Sequence, residues 1–324
     1  MSVAMRVAMD VTPLRLTQAG TARYIRNLRQ RLDVQPVDFG GAGRASVLAR
    51  ELWWYPFRLS ALDGETDVLH CTTYYGPLRP RVPTVVTVHD LAVFRHPQAF
   101  PRWTRTYVPL AVPRVLRAAR SVIAVSEFTA SELESLLRVP REKIHVVPNA
   151  VDDAFTPDGP RADGNYVLAV GTLEPRKNLA RAIEAVARIG VDLRVVGARG
   201  WGGVEARGAN VTWLGEVDDD ELARQYRGAL CVVYTSLYEG FGLPVLEAMA
   251  CGAAVVTSAG GATGEVAADA AVLVDPLDAG AIADGMTDAI ARRDELRPRG
   301  LGRARLFSWD DAARLTQHVY EGTA

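Results

Sequence analysis

Two glutamates at a fixed spacing belong to the segment of this chain that is best suited to chemistry. Glu239 and Glu247 lie eight positions apart, and the turn between them leads into an apolar helix that we expect to begin near Pro244. The turn is formed by Gly240, Phe241, Gly242 and Leu243. Its glycines let main-chain N–H groups approach an anion with no Cβ in the way, and the positive end of the helix faces the same point. The two carboxylates could hold sugar and ribose hydroxyls on opposite sides of a diphosphate; the alternative is a tight connection with two solvated acids.

A second segment concentrates positive charge before a predicted helix. Arg176 and Lys177 lie there, a few residues after Gly171 and Thr172, which follow a predicted strand. Cations are mildly unfavourable at a helix start unless an anion lies between them and the helix dipole. The segment therefore predicts a phosphate ligand. The alternatives are two solvated cations or a salt bridge to Glu174, and a surface pair contributes only about 0–1 kcal/mol.

The first half of the chain offers two weaker candidates. His89 follows a predicted strand, where its imidazole could hydrogen-bond a sugar hydroxyl or move a proton near neutral pH. A histidine buried beside a strand end is the alternative. Gly20 and Thr21 open a predicted helix after the first strand. The glycine could let the backbone approach a sugar, although a plain N-terminal turn explains the pair equally well.

Three other features are interpreted as structural. Asp218 and the two aspartates after it precede a helical pattern, which favours N-capping over metal binding. Ser126 is expected to cap a helix over residues 127–137 and lacks the surroundings of a nucleophile. The aromatic run at residues 53–57 is more typical of a core. A weak contact with anionic lipid is the alternative, because arginines lie in the same domain, at Arg102, Arg105, Arg114, Arg117 and Arg120.

The composition limits the possible classes of protein. The chain has 324 residues, of which 48% are hydrophobic and 23% charged, so two domains with substantial cores are expected. Its 37 basic and 38 acidic residues give a formal charge of −1, which argues against nucleic-acid binding. Cys71, Cys231 and Cys251 are widely spaced, so we expect unpaired core thiols in a reducing cytoplasm. No apolar run reaches membrane-spanning length, and neither a signal peptide nor a membrane helix is expected.

Short β-branched runs alternate with amphipathic stretches, which is typical of parallel sheets covered by helices. In the first half, strands are predicted at residues 6–11, 68–71, 84–88, 121–125 and 144–147. After a linker at residues 152–160, strands are predicted at residues 166–170, 193–196, 211–214, 230–234, 254–258 and 271–274. The sequence thus predicts two Rossmann-like α/β domains facing across a cleft, with a final helix at about residues 310–320 that packs back on the first.

Taken in order, these motifs resemble those of family four of the glycosyltransferases, a group of retaining enzymes with the two-domain GT-B fold. The resemblance covers nearly the whole chain, and it depends on the order and spacing of six segments. They are HDL at His89, VSEFTASEL at Val125, VVPNAVD at Val146, VGTLEPRKNL at Val170, LGEVDDDEL at Leu214 and SLYEGFGLPVLEAMACGAAVVTS at Ser236.

The resemblance implies roles for the matching residues. Glu239 would contact the donor sugar and Glu247 the ribose, while Arg176 and Lys177 would neutralise the diphosphate. Many relatives carry arginine at the position of Thr172, so neutralisation would depend more on these two cations. Further contacts would come from His89 near the transferred sugar, from Gly215 and Val217 near the base, and from Gly20, Thr21, Gly171, Thr172, Gly240, Phe241, Gly242 and Leu243 along the donor.

The resemblance also implies a reaction. A hexose, with a mild preference for mannose, would pass from a nucleoside diphosphate sugar to the hydroxyl of a glycan, a lipid-linked or a small-molecule acceptor. The anomeric configuration would be retained, with no cofactor and no metal ion. Residues 1–153, with the helix at about 310–324, would bind the acceptor and residues 154–309 the donor, in the cytoplasm or at the inner face of its membrane. A nucleotide-sugar epimerase of the same fold and a non-catalytic sugar-nucleotide-binding subunit are the alternatives.

Overall fold

The chain divides into two compact units. The computed structural model describes residues 5–17, 20–41, 43–59, 66–200 and 202–324. Unit 1 comprises Met1–Asn149 and Trp309–Ala324, and unit 2 comprises Ala150–Ser308. Each unit contains one parallel six-stranded sheet packed against helices. The predicted α/β fold class is therefore confirmed.

The sheet of unit 1 has the strand order β2-β1-β3-β4-β5-β6. Five of its strands match the predicted ones to within one residue at each end, whereas one strand was missing from the prediction. The missed strand lies at the sheet edge, is three residues long and contains Pro36, so neither its length nor its residue pattern marks it. The strands are β1 (Val7–Asp10), β2 (Gln35–Val37), β3 (Val68–Cys71), β4 (Thr84–Val88), β5 (Ser121–Ala124) and β6 (Ile144–Val146).

Helices pack against this sheet and leave its central strands buried on both faces. Every residue of β1, β3, β4 and β5 is buried, which is why these strands appear in the sequence as mainly apolar runs. The described helices before residue 150 are α1 (Gly20–Arg31), α2 (Arg44–Ala49), α3 (Ala92–Arg95), α4 (Arg102–Ala118) and α5 (Glu127–Leu137), with a π-helix at Arg50–Arg58 continuing α2. The bounds of α5 are those predicted, since Ser126 Oγ accepts a hydrogen bond from Thr129 N at 3.0 Å.

The sheet of unit 2 has the strand order β12-β11-β10-β7-β8-β9. Its strands are β7 (Tyr166–Val170), β8 (Asp192–Val196), β9 (Val211–Gly215), β10 (Cys231–Tyr234), β11 (Val255–Ser258) and β12 (Val272–Val274). All six were predicted, with ends that differ by at most one residue. The helices are α6 (Leu179–Ile189), α7 (Asp219–Gly228), α8 (Leu243–Ala250), α9 (Gly261–Ala267), α10 (Ala279–Ala291) and α11 (Arg293–Ala304). Asp218 caps α7, as predicted, by accepting from Glu221 N at 2.9 Å.

In each sheet there is one point at which the next strand in sequence is added on the opposite side of the first strand. In unit 2 the chain builds outward from β7 through β8 to β9, and then resumes on the other side of β7 with β10. In unit 1 the corresponding point lies between β1 and β3. Open α/β sheets bind ligands in the crevice outside the carboxyl ends of the strands at such points. The loops that follow β7 and β10 are therefore the first place to look for a site in unit 2.

The last helix, α12 (Trp309–Glu321), belongs to unit 1, although the chain reaches it from unit 2. It packs against α1, and Arg31 Nε lies 2.6 Å from Asp310 Oδ1. Trp309 and Tyr320 are buried at its two ends. The predicted return of the final helix to the first domain is thus confirmed.

Two further predictions concern the cysteines and the membrane. Cys71, Cys231 and Cys251 are buried and unpaired, as expected. Burial raises the pKa of the Cys231 and Cys251 thiols to about 12, so these thiols stay protonated. Among the residues that the structure describes, none of the helices combines the length and the apolar character that a bilayer crossing requires.

Candidate active site

The two charged motifs of unit 2 meet at the reversal point of its sheet. Arg176 and Lys177 lie in a 3-10 turn, Pro175–Lys177, in the loop after β7. Glu239 lies in the loop after β10, the strand that pairs with β7. Asn178, in the left-handed conformation with φ 60°, separates the 3-10 turn from α6. The two cations therefore lie immediately before the helix, at its N-terminal end.

Glu239 is held between the two cations. Its Oε1 lies 2.6 Å from Lys177 Nζ, and its Oε2 lies 3.0 Å from Arg176 Nη1. Arg176 Nη2 also lies 2.6 Å from Glu174 Oε1. The Arg176, Lys177 and Glu239 side chains are only 11–16% exposed, so the interpretation as solvated surface cations is wrong. Two carboxylates and two cations form a formally neutral cluster.

Neighbouring hydroxyls fix the same carboxylate. Ser236 Oγ donates to Glu239 Oε1 at 2.6 Å, and Tyr234 Oη donates to it at 3.0 Å. Lys177 Nζ in turn donates to Tyr234 Oη at 2.7 Å. Lys177 thus uses two of its three N–H groups on Glu239 and Tyr234, and the third can bond a ligand. Sequence reasoning missed Tyr234 and Ser236, although both stand within five positions of Glu239.

The cluster sets the ionisation of Glu239. Burial acts to raise the pKa of its carboxyl, but the Lys177 ammonium and the Arg176 guanidinium outweigh burial. Together with hydrogen bonds from Lys177 and Ser236, they lower the pKa to about 2. Glu239 is therefore a carboxylate at any physiological pH: it can accept hydrogen bonds from hydroxyls, but it has no proton to donate.

Glycines shape the loops at this site. Gly171 has φ 141°, and a Cβ there would lie 3.3 Å from the Lys177 side chain, so glycine leaves room for the lysine stem. Gly242 has φ 108° and precedes α8, which begins at Leu243, one residue before the predicted start. Gly240 and Phe241 are buried in the same turn. The first N–H groups of α8 are those that an anion at this turn would meet.

The remaining candidates of unit 2 lie outside the ion-pair cluster. Glu247, on α8, is 5% exposed and its Oε2 accepts a hydrogen bond from Tyr226 Oη at 3.0 Å. Gly215 ends β9 with φ 76°, and its carbonyl accepts from Gly197 N at 2.8 Å. Val217 follows, immediately before the cap of α7. Thr172 lies beside Gly171 and is half-buried. The structure thus brings Glu239, Arg176 and Lys177 into direct contact, and it places the other candidates on neighbouring loops.

The candidates of unit 1 lie at the start of α1 and in the loop after β4. Gly20 and Thr21 are the first two residues of α1. His89 follows β4, and its Nε2 lies 2.9 Å from the carbonyl oxygen of Thr72, which can only accept. The ring therefore carries its proton on Nε2, and Nδ1 is the unprotonated nitrogen. Burial lowers the pKa of His89 more than the Thr72 carbonyl and Asp90 raise it, so the imidazole is neutral near pH 7.

The fold and the charged crevice define a parallel α/β protein with two Rossmann-like units, and comparison with known proteins gives its family. The family model described as glycosyl transferases group 1 matches residues 152–300, and the model of glycosyltransferase family 4 matches residues 21–155. The O-antigen chain mannosyltransferase B of Escherichia coli is 32% identical over 287 residues, which cover 80% of this chain and 75% of that protein. The chain belongs to glycosyltransferase family 4, and it is a glycosyltransferase.

Other relatives agree in sequence and fold. An MMP alpha-(1->4)-mannosyltransferase of Mycolicibacterium hassiacum is 31% identical over 300 residues, covering 81% of this chain and 72% of that protein. A sucrose-phosphate synthase from Thermosynechococcus elongatus aligns with a TM-score of 0.78 at 20% identity, over 98% of this chain and 99% of that one. HepE from Anabaena, in complex with UDP-glucose, aligns with a TM-score of 0.73 at 18% identity, over 98% and 99%. These structures show the fold alone, and the predicted GT-B fold is confirmed.

Proposed function

We propose that this glycosyltransferase moves a hexose, with a mild preference for mannose, from a nucleoside diphosphate sugar to an acceptor hydroxyl. The proposal includes retention at the anomeric carbon and independence of metal ions. The observation that carries it is the Glu239 carboxylate, held between Arg176 and Lys177 at the carboxyl ends of β7 and β10. A carboxylate that accepts sugar hydroxyls and cations that face a diphosphate are what such a donor requires.

The cations would act on the leaving group. As the bond between the sugar and the phosphate oxygen breaks, negative charge develops on the diphosphate. Lys177 has one N–H group beyond its bonds to Glu239 and Tyr234, and the first N–H groups of α8 lie across the same turn. Donors that are fixed before the reaction stabilise this charge without reorganisation. The same groups would hold the diphosphate with no bound metal.

Glu239 would orient the sugar and would not become a covalent partner. With a pKa of about 2 it remains ionised, and both of its oxygens are already engaged by cations and hydroxyls. A carboxylate held in this way is a weak nucleophile, unlike the pair of acids in many retaining hydrolases. We propose instead that the acceptor attacks from the face that the diphosphate leaves, and that a phosphate oxygen takes the acceptor proton.

Unit 1 would supply the acceptor side. His89 carries its proton on Nε2, so Nδ1 can accept a hydrogen bond from a hydroxyl of the transferred sugar. The backbone at Gly20 and Thr21 would approach the same sugar, and Gly215 and Val217 would lie near the base. The preference for mannose is supported by the two sequence relatives named above, both of which are mannosyltransferases.

One surface of unit 1 supports a peripheral contact with anionic lipid. Six of the ten large hydrophobic side chains that are exposed in the described part of the chain lie on two helices in contact, and they are 41–61% exposed. The only acid of the two helices, Glu51, is buried against Trp103 and Tyr107. The first of the two helices is α2 with the π-helix that continues it, and its exposed apolar residues are Leu48, Leu52, Trp53 and Phe57. The second is α4, which carries Trp103 and Leu110 together with Arg102, Arg105, Arg114 and Arg117.

Product analysis tests the proposed reaction. The protein is incubated with the mannose and glucose conjugates of GDP, UDP, ADP and dTDP, with and without simple mannoside acceptors, in EDTA. NMR of the product is expected to show an anomeric configuration equal to that of the donor. Inversion would contradict retention, and a requirement for added Mg²⁺ would contradict metal independence. A new sugar nucleotide formed without acceptor would support the epimerase alternative, and donor binding without any product would support a non-catalytic subunit.

A further inference from the structure

A chain of hydrogen bonds runs through the interior of unit 1, and the proposed reaction leaves it unexplained. Tyr320 Oη, on α12, lies 2.6 Å from His70 Nδ1, and His70 Nε2 lies 2.8 Å from Thr87 Oγ1. Thr87 Oγ1 lies 2.9 Å from Tyr24 Oη, on α1. All four side chains are fully buried. We call Tyr320, His70, Thr87 and Tyr24 the buried polar chain.

The His70 ring couples the hydrogen bonds on its two sides. Burial, with a smaller contribution from nearby His89, lowers the pKa of His70 to about 3, so its ring is neutral and has one donor and one acceptor nitrogen. If Tyr320 donates to Nδ1, then Nε2 donates to Thr87, and the bond between Thr87 and Tyr24 can run in either direction. If Nδ1 donates to Tyr320 instead, Thr87 donates to Nε2 and Tyr24 donates to Thr87. Removing the Tyr320 hydroxyl therefore changes the bonding of His70 and, through it, of Thr87, which is the cooperative behaviour of buried networks.

The buried polar chain ends against the candidate histidine. The ring of Tyr24 meets that of His89 edge to face, with centroids 5.0 Å apart and planes at 85°. The ring centroid of Trp309, at the start of α12, lies 6.4 Å from that of Tyr24. The His89 ring is thus fixed from one side by its bond to the Thr72 carbonyl and from the other by Tyr24. At one end of α12 Trp309 contacts Tyr24, and at the other end Tyr320 belongs to the buried polar chain.

We propose that the C-terminal helix α12 positions His89 for glycosyl transfer through the buried polar chain, with Tyr320 and Tyr24 as positioning residues. The inference rests on the proposed function, in which His89 contacts the transferred sugar. Tyr24 lies in the first turns of α1, which begins at Gly20, so the same chain also supports the predicted backbone contact at Gly20 and Thr21. The helix α12 thus acts on residues that lie far earlier in the sequence.

Removing one hydroxyl from the buried polar chain tests the inference. Tyr320→Phe keeps the ring and the packing but deletes the bond to His70. We expect kcat to fall by about tenfold or more, because small displacements of positioned groups slow the chemistry. The KM for the donor should stay within about twofold, since the donor-binding groups of unit 2 are untouched. Tyr24→Phe, which breaks the chain at its other end, should act in the same way.

A matched control separates positioning from stability. Ser121 Oγ lies 2.7 Å from Thr323 Oγ1, a buried bond that also joins the segment after α12 to the sheet and that involves no side chain of the buried polar chain. Ser121→Ala and Tyr320→Phe are compared by thermal unfolding, by kinetics and by ¹⁵N NMR of the five histidines. The ring signals of His89, identified by their loss in His89→Gln, should move only in Tyr320→Phe and Tyr24→Phe.

The outcomes distinguish this inference from the proposed function. If His89→Ala abolishes transfer while Tyr320→Phe and Tyr24→Phe keep normal kcat and unmoved His89 signals, positioning by α12 is wrong and the proposed function stands. If His89→Ala transfers normally, the assignment of His89 in the proposed function is wrong, and the inference fails with it. Equal effects of Ser121→Ala and Tyr320→Phe on kcat would also overturn positioning, because both would then act through stability.

Discussion

At the scale of single residues, the site depends on charges that partner one another across two loops. Lys177 and Glu239 are 62 positions apart, yet their charged atoms lie 2.6 Å from each other. Neither is a surface charge, since both side chains are at most 16% exposed. Each needs the other, because a buried charge without a partner is strongly unfavourable. The same pairing explains why the lysine is fixed in place before any ligand arrives.

Replacing Lys177 by alanine should reduce kcat by about 100-fold or more, because the leaving diphosphate loses a fixed donor. Steady-state transfer assays with a saturating donor measure the effect, and circular dichroism checks that the variant is folded. Arg188→Ala is the control, since Arg188 belongs to the exposed ion pair with Glu184 on α6, which lies outside the site. Near-normal turnover of the Lys177 variant would remove this residue from the mechanism.

The ionisation of Glu239 predicts a pH dependence of stability. Its pKa in the folded protein is about 2, against 4.5 ordinarily, so its contribution is fully present above about pH 4.5 and is lost as the pH falls towards 2. The shift corresponds to about 3 kcal/mol of unfolding free energy. The difference in unfolding free energy in urea between the native protein and Glu239→Gln should therefore be largest near neutral pH and should shrink as the pH falls from 4.5 towards 2. A constant difference over this range would contradict the lowered pKa.

At the scale of secondary structure, the elements of this fold have unequal tasks. The central strands bury their residues on both faces and leave the loops at their carboxyl ends to carry the site. The helix α8 presents its first turn to the same loops. By contrast, α4 and the π-helix of unit 1 expose apolar and basic side chains that neither the core nor the site requires. Surfaces of this composition are typical of a contact with anionic lipid.

The lipid contact can be tested with vesicles. The protein should co-sediment with vesicles containing phosphatidylglycerol and not with pure phosphatidylcholine, and binding should weaken with salt because each arginine near the surface contributes about 1 kcal/mol. The double variant Phe57→Ser, Leu110→Ser should bind more weakly by about tenfold, through loss of buried apolar area. Leu277→Ser, Leu306→Ser is the control, since both leucines are similarly exposed but lie in unit 2. Equal binding by the two double variants would exclude this surface.

At the scale of the whole molecule, one measurement reports donor binding without any assumption about the acceptor. A ligand that binds only the folded state raises its stability by about 2.7 kcal/mol at a concentration of 100 Kd. We expect one nucleoside diphosphate of a GDP, UDP, ADP and dTDP series to raise the melting temperature in EDTA, and Lys177→Ala to lose this shift. A shift that appears only with added Mg²⁺ would contradict metal-independent binding.

Much of the fold can be predicted from the sequence because the burial of a strand or helix determines which residue types occur in that segment. A strand that is covered on both faces consists mainly of apolar residues, so Val85, Val86 and Val88 mark β4 without reference to the rest of the chain. A serine before a helical pattern defines the start of α5 in the same local way. The short β2 lacks such a signal, since it lies at an edge with exposed residues. The sequence also shows both charged motifs, because each is a contiguous segment.

The tertiary structure alone decided which distant groups meet. The order of the strands places the loop after β7 beside the loop after β10, and only this order turns two separate motifs into an ion-paired cluster around Glu239. The partnership of Tyr320 with His70, 250 positions apart, has no trace in the sequence either. The physical reason is that hydrophobic periodicity records whether a residue is buried, whereas hydrogen bonds and ion pairs between remote residues depend on how the elements are arranged in space.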